Sequence, residues 1–203
     1  MNNLSLPLLL LTLIFIIWLH YELIKSKNQD GKKDALFWKR EAESNLTPKK
    51  DISNLDYLTI TLDNLPVKNY DDETINLYRD TIISLSNQKI LNLSGYTNTD
   101  LKLQYGAANL NRLTEYDNNY IKLISTLHKW GQKLYEAGDI NAALSVLEYS
   151  ISCKTDAAIT YKLLAQIYKK QNETDKIDKL IKLISNSNIS RKDELIKELR
   201  VKD

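Results

Sequence analysis

The sequence predicts a mostly α chain, with a single N-terminal transmembrane helix followed by a short α-solenoid. Three observations lead there. Residues 4–21 carry no charged side chain. Large, small and turn residues between Leu127 and Ile184 recur at a spacing of 34. Only 5 Gly and 3 Pro occur in 203 residues, too few for a turn-rich sandwich or a Gly-rich phosphate loop. With 43% apolar and 27% charged residues the chain is not a disordered tail. One Cys and two His exclude most disulfide and zinc architectures, because a structural zinc takes four ligands.

Residues 1–24 read as the anchor. The 18 uncharged residues from Leu4 to Tyr21 would span about 27 Å as a helix, near the ~30 Å apolar core of a bilayer. Trp18 and Tyr21 close the run, where aromatic rings favour the headgroup region. A cleaved signal peptide fits less well, since no basic residue precedes the run and no small-x-small site follows it.

Residues 25–50 read as a basic juxtamembrane linker with a short helix at 34–43, Asp34 as its N-cap and Pro48 as its stop. The segment carries a net charge of +4, against −1 for residues 51–203. Positive-inside logic then places the long C-terminal part in the cytoplasm, on a single-pass protein of the cell membrane. The lysines can also meet anionic headgroups. Leu36, Phe37 and Trp38 are adjacent rather than helically spaced, which fits a bilayer surface or the folded body equally.

Residues 51–117 read as a helical cap region with short extended segments. Leu58, Ile60 and Leu62 alternate with threonines, a period of two, and residues 90–93 form a second short candidate. Both fit extended stretches over a helical body, or a small two-stranded patch. Residues 70–88 look helical: Asp71, Asp72 and Glu73 favour an N-terminal turn, and Ile75, Tyr78, Ile82 and Leu85 make one stripe. Thr97 to Asp100 is a helix-start signal, and Gly106-Ala107-Ala108 allows close approach or a break.

From residue 118 the pattern becomes specific. Leu127, Trp130, Gly131, Leu134, Gly138 and Ala143 are followed 34 residues later by Tyr161, Leu164, Ala165, Tyr168, Asn172 and Ile177. Large residues at i, i+3 and i+7 line the inner face of a first helix, and Gly131 or Ala165 lets a second approach. Gly138 and Asn172 suit the left-handed conformation that ends a helix. Residues 187–203 read as a C-terminal capping helix, with Leu195, Ile196 and Leu199 on one face.

This period and order of residues resembles the tetratricopeptide repeat, over about 70 of the 203 residues. The resemblance implies two antiparallel helix pairs within residues 118–186. Ile177, Ser150 and Thr155 depart from the small residues and proline usual at their positions. With the anchor, the whole resembles small bacterial membrane-anchored repeat proteins without an assigned activity. In that family the first helices of successive pairs line a groove that commonly binds peptides. Carried over by position, His128, Gln132, Tyr135, Lys162, Gln166 and Lys169 would face it, the lysines favouring an acidic or C-terminal segment.

Chemistry is harder to find. His20 lies at the end of the anchor, remote in sequence from His128 and Cys153, so no nucleophile–base pair can be built from neighbours. No Walker loop, G-x-G-x-x-G or H-E-x-x-H occurs, and the near-neutral residues 51–203 lack a nucleic-acid footprint. The expectation is therefore a non-enzymatic adaptor or scaffold. It would take no cofactor, metal, nucleic acid or small-molecule substrate. It would touch lipid through its first helix and hold a protein or peptide partner in the groove. The alternative is a structural or self-associating membrane subunit whose groove is filled internally by residues 55–65, or by a second copy of the chain.

Overall fold

The computed structural model describes residues 5–187 and 189–200. The start of the expected anchor, at residues 1–4, and the last three residues of the expected capping segment lie outside them. The chain is mostly helical, and it divides into two compact units, Met1–Ile52 with Tyr96–Leu110 and Ser53–Gly95 with Asn111–Asp203.

In the first unit, α1 runs unbroken over Ser5–Asn45, 41 residues or about 60 Å. The sequence reading expected a linker from residue 25; instead the helix continues, because Lys, Glu, Ala and Leu favour it and no proline intervenes between Pro7 and Pro48. Among the described residues, no helix is long and apolar enough to cross a membrane. The run of nearly pure hydrocarbon from Leu8 to Leu19 gives only about 18 Å of helix before His20, Tyr21 and Glu22. The expected span depended on Leu4 and the residues beside it. Leu36, Phe37 and Trp38 are all more than half exposed, and the Phe37 and Trp38 rings meet edge to face at 5.3 Å.

α3 (Asn98–Tyr105) starts on a reciprocal cap: the Asp100 amide donates to Thr97 Oγ1 (3.2 Å) and the Thr97 amide to Asp100 Oδ2 (2.9 Å). It packs on the last turns of α1. Lys102 donates to the Glu41 carboxylate and to Asn45 Oδ1 (2.8 Å), Thr99 donates to Glu41 (2.7 Å), and Arg40 pairs with Asp100 at 2.6 Å. The Lys102 hydrogen bond is the main reason the Glu41 carboxyl sits below its ordinary range. Gly106, at φ +90°, then turns the chain into a 3-10 turn, Ala107–Asn109. The turn lies against residues 48–50: the Lys50 amide donates to the Tyr105 carbonyl (3.0 Å), and Asn109 Nδ2 to the carbonyls of Lys50 and Tyr105 (both 2.7 Å).

The second unit holds α2 (Glu73–Leu85), α4 (Leu110–Glu136), α5 (Ile140–Ser152), α6 (Ala158–Lys170), α7 (Thr174–Ser185) and α8 (Lys192–Arg200). Asp72 caps α2 through the amides of Thr74 and Ile75, so the acidic triplet is a helix start, and Ile75, Ile82 and Leu85 are buried. Residues 55–65 and 90–93 meet at a single antiparallel bridge, Leu58 with Ile90. They continue onto the helices: the Leu91 amide donates to the Tyr116 carbonyl (3.2 Å) and the Thr61 amide to the Tyr149 hydroxyl (3.0 Å).

α4 begins eight residues earlier than the sequence reading placed it, and buries Leu113, Tyr120, Leu123, Ile124, Leu127, Trp130 and Leu134 at steps of three and four. Gly138 (φ +82°) and Asn172 (φ +60°) end α4 and α6 in the left-handed conformation. Asp139 caps α5 by accepting from the Ala142 amide (3.2 Å), and its other oxygen takes Tyr70 Oη (3.0 Å) and Lys68 Nζ (3.1 Å). The α5–α6 turn is tied to its neighbours by two tyrosines. Tyr120 donates to the carbonyls of Cys153 (3.3 Å) and Lys154 (2.9 Å), and Tyr161 donates to that of Thr155 (2.9 Å). α8 packs on α6 and α7 with Leu195 and Leu199 buried.

Candidate functional site

Of the expected row on α4, His128 and Tyr135 reach α6, at Thr160 and Lys170 rather than at Lys162, Gln166 or Lys169. His128 is half-buried, with Nδ1 3.3 Å from Thr160 Oγ1 of α6. One helical turn further on from Gln132, Tyr135 accepts a hydrogen bond from Lys170 Nζ (2.6 Å), and the same ammonium lies 5.2 Å from the centre of the ring. Gln132 is exposed and donates to Glu136 Oε1 (2.9 Å). Gln166 is exposed on α6.

The lysines differ from the sequence expectation. Lys162 is not an open cation: its Nζ lies 2.5 Å from Glu198 Oε2 on α8. Both partners are about half exposed, so the pair contributes little stability, and the Glu198 carboxylate offsets the charge of Lys162. Lys169 is half-buried and already engaged. Lys170, which the sequence reading did not single out, supplies the cation beside Tyr135. No motif could have announced Glu198, because it reaches Lys162 from 36 residues away on a separate helix.

The sequence reading also missed two apolar members of the row. Ile121, seven residues before His128, and Ile159, three before Lys162, are each 57% exposed. The row therefore combines apolar contact near one end with amides and cations toward the other. Residues 55–65, the expected internal filler, meet Ile90, Tyr149 of α5 and, through the Tyr57 ring, Tyr116 of α4 (5.7 Å).

Burial, and secondarily the Lys129 charge, holds the His128 imidazole below its ordinary value. Acid then favours the unfolded chain, where this histidine takes up its proton more readily. The stability it contributes is complete above about pH 6.5 and falls as the pH drops through that value. Denaturant midpoints measured between about pH 7.5 and 5.5 are expected to fall in the native chain, and to fall less in His128→Gln.

An open cleft of about 810 Å³ lies at the other end of these helices, lined among others by Asp56, Leu58, Asn92, Cys153, Asp156 and Tyr161. Burial pushes the Cys153 thiol up to about 11, which makes it a poor nucleophile, and His128 is not among the cleft residues. Among the described residues, no three His, Cys, Asp or Glu side chains are grouped to hold a metal ion. No family model, no curated protein and no solved structure matches the chain.

Proposed function

We propose that the chain is a membrane-tethered, non-enzymatic adaptor that holds a protein or peptide partner on the exposed row of α4 and α6, in a tetratricopeptide-like stack. The observation that carries this reading is the row itself. His128, Gln132 and Tyr135 recur 34 residues later as Lys162, Gln166 and Lys169, and Ile121 and Ile159 extend the two faces with exposed apolar surface. The partner segment has an acidic group for the cation beside Tyr135 and apolar side chains for the isoleucines.

The tether is the first half of α1. From Leu10 to Leu19 its large side chains are 42% exposed or more on every side of the helix, a distribution that suits lipid better than water. The positive flank after it favours a cytoplasmic C-terminal part. A second reading, a self-associating membrane subunit, is favoured by a stripe of uncharged residues along α1 between Leu10 and Ala42.

A photo-crosslinking residue at Gln132 or Gln166 of the full-length chain, in cells, tests the adaptor. One partner is expected from both positions. It should be lost from an Ile121→Glu/Ile159→Glu variant whose circular dichroism is unchanged, and weakened by Lys170→Glu. Capture of the chain alone, indifferent to these changes, overturns it.

A further inference from the structure

Charge is distributed unevenly around α1. From Leu10, alternating steps of four and three residues pass through Ile14, Ile17, Tyr21, Ile24, Asn28, Gly31, Ala35, Trp38 and Ala42. None of these is charged, although eleven of the residues from Glu22 to Glu43 are, and all eleven fall elsewhere. The stripe thus stays uncharged well past the apolar run, through a stretch where lipid gives no reason for it.

The period also matters. Steps of four and three average 3.5 residues, and on a straight helix such a stripe drifts by about 20° per heptad. Over the length of α1 it would wander about a quarter turn, unless the helix winds on another helix that carries the same period. The stripe is open to such a partner. Leu10, Ile14, Ile17, Tyr21, Ile24 and Trp38 are 49–66% exposed, and Gly31, Ala35 and Ala42 are exposed too. α3 occupies the other side: Ser44, fully buried, stands roughly 120–160° around the helix from Trp38 and Ala42.

We infer that two copies of this chain wind together, parallel and in register, along the stripe from Leu10 to Ala42. A second copy brings the identical period, which an unrelated surface would not. In register, Trp38 enters the space left by Ala35 and Ala42 of the other copy, where larger residues would exclude it. In such a pair Asp34 faces Lys39 across the seam and Lys27 faces Lys32, so the flanking charges offset one another and the orientation rests on the fit of Trp38 between the alanines. Tyr21 and Trp38, at about 150–250 Å² each, supply roughly half of the ~800 Å² per partner that a stable interface buries. This inference stands independently of the partner proposed for α4 and α6.

Same-site disulfide formation in the full-length protein, in mild detergent, tests it. Ala35→Cys and Ala42→Cys are expected to give at least five times more oxidised dimer than Lys33→Cys, on the far side of the helix. The unaltered chain should give none through its buried Cys153. Trp38→Glu is expected to raise the dissociation constant from sedimentation at least tenfold. Equal crosslinking at all three sites, or none, overturns the inference. So does a sedimenting dimer without the seam disulfides, which would mean another orientation or surface. The cysteine variants alter only exposed positions, so the test stands even if Trp38→Glu fails to fold.

Discussion

Replacing Gly106 by alanine is expected to destabilise the protein by about 2–6 kcal/mol. Two causes add. The residue sits at φ +90° and ψ 141°, a region essentially closed to side chains. A Cβ there would also overlap the Pro48 carbonyl oxygen and stand 2.7 Å from Lys49 Cα. Both obstacles are backbone, so no rotamer change relieves them, and shortening the neighbouring side chain by Pro48→Ala should restore nothing. The opposing gain, a less flexible unfolded chain, is only about 0.4–1 kcal/mol. A denaturant midpoint reads the total. Amide exchange at Lys50, which donates to Tyr105 beside the glycine, reads the local part and should speed up first. A native midpoint in the variant would sink the argument.

What the sequence announced and what it hid divide along the range of the forces involved. The caps at Asp72 and Thr97 and the left-handed ends at Gly138 and Asn172 were legible because each is decided within four residues. The helix pairs were legible because one pattern occurs twice. The continuity of α1 was not, since its basic composition reads equally as solvated linker and as exposed helix, and Pro48 marks only where it must stop. The site was half legible. Spacing set His128, Gln132 and Tyr135 one repeat before Lys162, Gln166 and Lys169, and it did not reveal that the contacts of His128 and Tyr135 run to Thr160 and Lys170. Whether a lysine is open depends on who else can reach it, and Glu198 arrives through the packing of α8. Ile121 and Ile159 were visible as apolar residues, but only their exposure separates them from core.

Gly131 tests the helix pair itself, and valine there is expected to cost about 1–3 kcal/mol or more. The backbone is ordinary helix, so the effect comes from space alone: a Cβ would stand 2.6 Å from Leu147 Cγ and Cδ2, on the facing helix α5. Leu147 is fully buried and cannot swing out to solvent, so α5 must move away from α4 or Leu147 must leave its rotamer. Glycine inside a helix costs about 1 kcal/mol relative to alanine, so the close approach must outweigh that cost for glycine to be the better residue here. Unlike the Gly106 clash, this one involves a side chain and can be relieved. Leu147→Ala alone should cost about 2–5 kcal/mol through the cavity it leaves. Combined with Gly131→Val it should cost less than the two together, with a coupling of about 1–3 kcal/mol. Additive losses would mean that Leu147 does not set the helix spacing. Because Gln132 follows Gly131 directly on α4, the single valine variant should also weaken crosslinking from Gln132, and the double variant should recover part of it.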